Sequence, residues 1–231
     1  MRIRARVPAS SANLGPGFDT LAVALDLPLV AELETDDSAE LRVVDGPELN
    51  GGDNLVLAGV RKACSTAGQR VRGGTLRVDS SIPVARGLGS SAAALVAGLL
   101  LGNRLCGDSL DAATLLRLAI EAEGHGDNVA AALFGGFVIV AVEAAGAVWR
   151  RIPVNGAMRA VVYVPERPGL THDARVVVPK SVTRSDAVEN ATHLGLLVLA
   201  LATGEFGLLG LAMRDRLHQP YRSELYPYLP E

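Results

Sequence analysis

The 231-residue chain has only two cysteines, Cys64 and Cys106. Neither lies in a CxxC pair or at a zinc-ligand spacing, which excludes a disulfide framework and a metal cluster and leaves two buried thiols in a reducing compartment. His172, His193 and His218 show no metal-type spacing either. Long apolar runs are missing too. The longest, Ala92 to Gly102, is too short to span a bilayer, and the basic segment from Met1 to Pro8 lacks the apolar core of a signal peptide. The expected location is therefore the cytoplasm. With 22 basic and 25 acidic residues, a net charge of -3 and no dense run of Lys or Arg, nothing attracts the chain to nucleic acid or an anionic membrane. Repeats, heptads and low-complexity segments are lacking as well. What remains is a hydrophobic fraction of 49%, ample for a sizeable core in one large domain or two small ones, and a small molecule as the expected ligand.

The first part of the chain reads as β-rich, with strands at Arg2 to Val7, Leu21 to Leu25, Val30 to Glu34 and Leu41 to Val44. Helical spacing runs from Asn54 through Ala63. A strand at Thr75 to Val78 then leads into a glycine loop and a helix from Ser90 to Asn103. Asp108 is read as the N-cap of a helix from Ser109 to Glu123, with Asp111 in its first turn and Leu115, Leu118 and Ala119 facing the core. After a polar break at Gly124 to Asp127 come a short apolar helix and strands at Phe137 to Val142 and Val148 to Ile152. A domain boundary is expected near Val154 to Met158, giving units of 1–155 and 156–231. The second opens with an apolar strand, Ala160 to Val164, and continues with helices from Thr171 and from Asp186 to Thr203.

The segment from Pro83 through Arg86, Gly87, Leu88, Gly89, Ser90 and Ser91 to Ala92 suits an anion. Its two glycines can bring backbone N–H groups close to a phosphate, and the helix that follows adds free N–H groups and a positive dipole end. No Lys follows the glycines, so this is not a Walker A loop, and neutralisation falls to a metal ion and other basic groups. Gly87-x-Gly89-x-x-Ala92 also fits a loose dinucleotide fingerprint, but Ser80 to Arg86 separate it from its strand, and the acid expected about 20 residues on would be Asp108, at a helix start. A plain turn before a core helix is the third alternative. The loop from Pro8 to Asp19 is dense in turn-forming residues; Asn13 and Asp19 there serve either a structural turn or a ligand.

PASSANLGPGFDTLAVAL, PVARGLGSSAA and EGHGDNVAAALFGG together resemble the GHMP small-molecule kinases, and specifically the homoserine kinase family, from about Arg2 to the final residues. The resemblance implies a two-domain α+β fold, with an amino-terminal unit like ribosomal protein S5 domain 2 and a ferredoxin-like carboxyl-terminal unit. It also implies transfer of the γ-phosphoryl group of MgATP to the hydroxyl of L-homoserine in threonine biosynthesis, and a homodimer by analogy. Residue by residue, 83–92 matches the phosphate loop, with Ser91 at the Mg2+ ion and Ser90 as its alternative. Glu123 matches the metal carboxylate, with Glu121 close by. Asn54 matches a position at the adenine pocket, although it serves equally as a helix N-cap. Asp19 takes the substrate ammonium, Arg175 and Arg222 clamp its carboxylate, and Asn13 and His125 line the polar pocket with Asn128. Where several GHMP kinases carry a catalytic Asp, Asn128 stands; it is expected to orient the hydroxyl while the γ-phosphate or solvent takes the proton.

Two departures from the pattern set further expectations. Gly126 stands where the family usually has Pro, which loosens that loop. The family's third motif, of the type SGSGP, has no equivalent in these residues, so a fragment with weak or no kinase activity, prone to aggregation or dependent on a partner, is expected. A GHMP kinase for another small alcohol and a non-catalytic nucleotide- or amino-acid-binding remnant are the competing functions.

Overall fold

The computed structural model describes residues 1–46, 54–154, 158–164, 171–223 and 225. Strand β1 (Arg2–Ala12) buries Ile3, Ala5 and Val7 and exposes Arg2, Arg4 and Arg6, as the period of two requires. Its partner β2 (Leu21–Thr35) is one continuous strand, where two were expected on either side of Pro28. The ladder explains this: Pro8 faces Pro28 and Ala9 faces Leu25, so Asp26 and Leu27 bulge out beside the two prolines, which have no N–H to pair. The later part of β2 pairs antiparallel with β4 (Gly74–Ser80) and its first residues with β5 (Phe137–Glu143). β6 (Gly146–Ile152) forms a hairpin with β5, and β3 (Leu41–Asp45) lies parallel to β4.

Neighbouring residues of this sheet face opposite ways into two cores. Ala22 and Val138 join the larger one, made with helices α1 (Leu55–Thr66), α2 (Ser90–Leu105), α3 (Ala112–Glu123) and α4 (Asp127–Phe134). Leu21, Phe137 and Ile152 join the smaller one, closed by Leu197 and Leu201 of α6 (Arg184–Thr203) and Ala212 of α7 (Leu209–Ala212). The short helices α5 (Thr171–Val176) and α8 (Gln219–Arg222), with a 3-10 turn at Phe206–Leu208, complete the described elements. After Ile152 the described residues hold helices and no strand.

Three sequence expectations need correction or fall outside view. The cap of α3 is Asp111, whose carboxylate accepts the Thr114 N–H at 2.8 Å. Asp108 instead sits in a left-handed turn after Gly107, and the Asn103 side chain holds the connector by bonding Leu110 through both its amide groups. The expected strand at Ala160 to Val164 pairs with no strand among the described residues, and Val161 and Tyr163 are exposed; an apolar run becomes a strand only where a neighbouring edge meets it. The boundary at 155/156 lies outside the described residues.

α2 is the central pillar, buried from Ala92 through Leu99 and again at Leu101 to Asn103. It crosses α1 at three glycines. A Cβ on Gly98 would lie 2.0 Å from the Val56 carbonyl oxygen, one on Gly59 2.5 Å from that of Leu95, and one on Gly102 2.6 Å from that of Val60. The obstacles are backbone atoms, so a methyl group separates the helices. Gly98→Ala is expected to cost about 1–3 kcal/mol despite its better helix propensity. A thermal melt will show a midpoint several degrees lower; an unchanged midpoint would refute the close contact.

Candidate active site

The glycine loop lies where β1, α2 and α4 converge. Gly89, the residue before α2, adopts a left-handed φ of 66°, and a Cβ there would meet the Ser10 hydroxyl at 2.2 Å and the Asn128 amide at 3.0 Å. The Ser10 N–H donates to the Leu88 carbonyl at 3.1 Å, and Asn128 Nδ2 donates to Ser10 Oγ at 2.9 Å. Ala85 and Gly87 also have positive φ, so the chain doubles back around Arg86, whose guanidinium reaches the Val84 and Ala85 carbonyls. Gly89 offers α2 no side-chain cap, and among the described residues no side chain is seen to accept from its first amides, which suit another acceptor.

Within the first turn of this helix, Ser91 Oγ donates to Glu123 Oε2 at 3.0 Å. Glu123 ends α3, so two helices bring a hydroxyl and a carboxylate together beside the loop. Glu121 points elsewhere, to Lys62 and Arg117. His125 Nδ1 donates to Asp127 Oδ1 at 2.6 Å, and Asp127, with no exposed surface, also accepts the Asn128 N–H at 2.8 Å. Burial pulls the His125 pKa down, but the hydrogen bond and charge of Asp127 together outweigh it and leave the pKa raised.

The Pro8 to Asp19 loop carries the other half of the site. Asn13 Oδ1 accepts the Asp19 N–H at 2.9 Å, with both residues in the left-handed region. Asp19 forms a two-pronged ion pair with Arg175, at 2.6 and 3.0 Å, a bond that raises the arginine's pKa against the effect of burial. Arg222 Nε donates to the Ala174 carbonyl at 2.8 Å. His218 Nε2 donates to the Gly15 carbonyl at 2.8 Å, leaving Nδ1 to accept from Arg222 at 3.3 Å. That tautomer is neutral, in keeping with a pKa lowered chiefly by burial. Asn190 of α6 donates to the Pro16 carbonyl, so the carboxyl-terminal helices hold the loop's backbone as well as meeting its side chains.

Asn54 Oδ1 accepts the N–H groups of Val56 and Leu57, and so caps α1. Its residue also borders a cavity of about 400 Å³ lined by Leu57, Ala58, Arg61, Lys62 and Ser65. This cavity includes none of the groups around Ser10 and Ser91. The structure thus gathers Ser90, Ser91, Gly89, Glu123 and Asn128 around one helix start and Asn13, Asp19, Arg175 and Arg222 around one loop. Sequence reasoning missed Ser10, Phe18 and Asp127, and of His218 noted only that its spacing does not suit a metal. The first three lie inside the quoted motifs, which was their only signal.

The GHMP kinases N terminal domain family matches residues 54–136. A homoserine kinase of Symbiobacterium thermophilum is 43% identical over 97% of this chain and 74% of its own length. One of Deinococcus radiodurans is 41% identical over 98% of this chain and 75% of its own. The crystal structure of homoserine kinase from Cytophaga hutchinsonii, 30% identical, superposes with a TM-score of 0.81 over 97% of this chain and 75% of that one. Identity at this level, over nearly the whole of this chain and about three quarters of each relative, shows that the chain belongs to the homoserine kinase family of GHMP kinases.

Proposed function

We propose that the chain transfers the γ-phosphoryl group of ATP to the side-chain hydroxyl of L-homoserine, at the junction of the glycine loop and the Pro8 to Asp19 loop. The observation that carries this reading is the 3.0 Å pair of Ser91 and Glu123 at the uncapped start of α2, beside Asn128. The uncapped amides of α2 and the loop from Pro83 to Gly89 suit the phosphates, and the cavity beside Asn54 suits the base.

A hydroxyl and a carboxylate are hard oxygen donors of the kind Mg2+ takes, with phosphate oxygens and water filling its other positions. Ser91 and Glu123 would hold it, and when bound it supplies charge neutralisation at the transferring phosphoryl group. The reaction asks the protein for positioning more than for covalent help. Asn128 Nδ2 is fixed on Ser10, so the amide oxygen is presented at a constant angle to accept from the homoserine hydroxyl. An amide takes no proton usefully, and the γ-phosphate or solvent receives it. Arg175 and Arg222 receive the carboxylate and Asp19 the ammonium, with His125, held by Asp127, and Asn13 lining the pocket. No described helix is long and apolar enough to cross a membrane.

Two experiments test this assignment. Asn128→Ala is expected to lower kcat about 100-fold in an ADP-release assay while the KM for ATP changes less than about threefold; full turnover with homoserine would refute the orienting role. Glu123→Gln is expected to raise the half-saturating Mg2+ concentration about tenfold, with Glu121→Gln unchanged. If the two glutamate variants respond alike, the metal assignment is wrong.

A further inference from the structure

Phe18 stands where three distant segments meet, and the reaction as described above gives it no role. Its ring stacks on His218 with centroids 5.2 Å apart and planes inclined by 26°. The guanidinium carbons of Arg175 and Arg222 lie 5.6 and 5.1 Å from the same ring centroid. The ring itself is firmly placed. Gly17, before it, accepts the N–H groups of Thr20 and Leu21 and has no room for a Cβ, which would fall 2.6 Å from Leu21 Cγ. Asp19, after it, has a φ of 54°, and this reversal lets two consecutive residues grip one arginine, Phe18 by its face and Asp19 by its fork.

Two guanidinium ions sharing one small site repel each other, and some group must hold them there. The polar partners hold their edges: Asp19 for Arg175, and the Ala174 carbonyl with His218 Nδ1 for Arg222. The faces are left to an aromatic ring, whose negative quadrupole attracts both cations without occupying their N–H groups. We propose that Phe18 is the positioning residue that makes the site selective for a carboxylate: its π face holds Arg175 and Arg222 side by side, so that a ligand carboxylate meets both. This rests on the reading that those two arginines receive the substrate carboxylate. His218 also lies against the ring; burial, helped by the Arg222 charge, outweighs the Gly15 carbonyl and Asp215 and favours its neutral form, so it adds no third cation to the cluster.

Titration calorimetry on the full chain tests this with three ligands: L-homoserine, propanolamine, which keeps the hydroxyl and ammonium but lacks the carboxylate, and ADP. Phe18→Leu is expected to weaken homoserine about five- to tenfold, Phe18→Tyr less than about threefold, and neither to change propanolamine or ADP. Incorporation of pentafluorophenylalanine at position 18, which keeps the ring's shape and reverses its quadrupole, is expected to weaken homoserine as Phe18→Leu does, and it carries the test if the leucine variant does not fold. If the fluorinated ring leaves homoserine affinity intact while Arg222→Ala weakens it, Phe18 is packing alone and the proposal is overturned. Equal weakening of all three ligands overturns it too. If Arg222→Ala also leaves homoserine unaffected, or the unaltered chain takes no homoserine, the carboxylate reading is itself wrong and the proposal falls with it.

Discussion

The crowding of Gly89 against Ser10 and Asn128 is the constraint on which the rest of the site depends. With 2.2 Å between a would-be Cβ and the Ser10 hydroxyl, only glycine lets the loop touch the end of β1, and only at a left-handed φ does the chain then enter α2 with its amides outward. Two hydrogen bonds lock the approach, Ser10 N–H to Leu88 and Asn128 Nδ2 to Ser10 Oγ. The glycine loop, the Asn128 amide and the end of β1 are thereby fixed relative to one another by contacts with almost no freedom. That suits a reaction whose rate depends on alignment of a donor and an acceptor.

The precision would be lost if α2 could shift. Its burial along most of its length, and the backbone contact with α1 through Gly59, Gly98 and Gly102, leave it no direction in which to slide. α3 packs on it as well, so the distance from Ser91 to Glu123 is set by helix packing rather than by a loop. The same core contains Cys64 and Cys106, with sulfurs 3.5 Å apart; burial pushes the Cys64 thiol up to about 12, and both are free, buried thiols as the cysteine count led one to expect.

The two halves of the site were legible in the sequence to different degrees. The glycine loop, Asn54 as a cap, and Asn13, Asp19 and Asn128 lie in short motifs whose chemistry is local, and most helices and strands followed from period and punctuation. The single strand β2 did not, because its continuity past Pro28 depends on the facing Pro8 of another strand. Asp108 and Asp111 are both good caps, and the choice was made by Asn103, seven residues before Leu110 and already committed to the connector. The contact of Phe18 with His218 was invisible for the same reason: it exists only when residues about 200 positions apart stack. Motif residues announce themselves, while the residues that aim them are set by tertiary contact.

The Asp19–Arg175 pair shows how such aiming bears on selectivity. Both side chains are about one third exposed, so either charge left alone would lose a strong hydrogen-bonded partner in a partly desolvated setting. On the proposed reading a zwitterionic amino acid can enter by exchange: its carboxylate takes the arginine fork as its ammonium takes the aspartate, and the number of paired charges never falls. An alcohol with a carboxylate alone would leave Asp19 unpaired, and an amino alcohol would leave the two arginines without an anion between them. Discrimination of this kind needs no steric gate, because the penalty lies in the protein's own abandoned charges. On that reading the ion pair is itself a template for the ligand, with the Phe18 ring against its arginine.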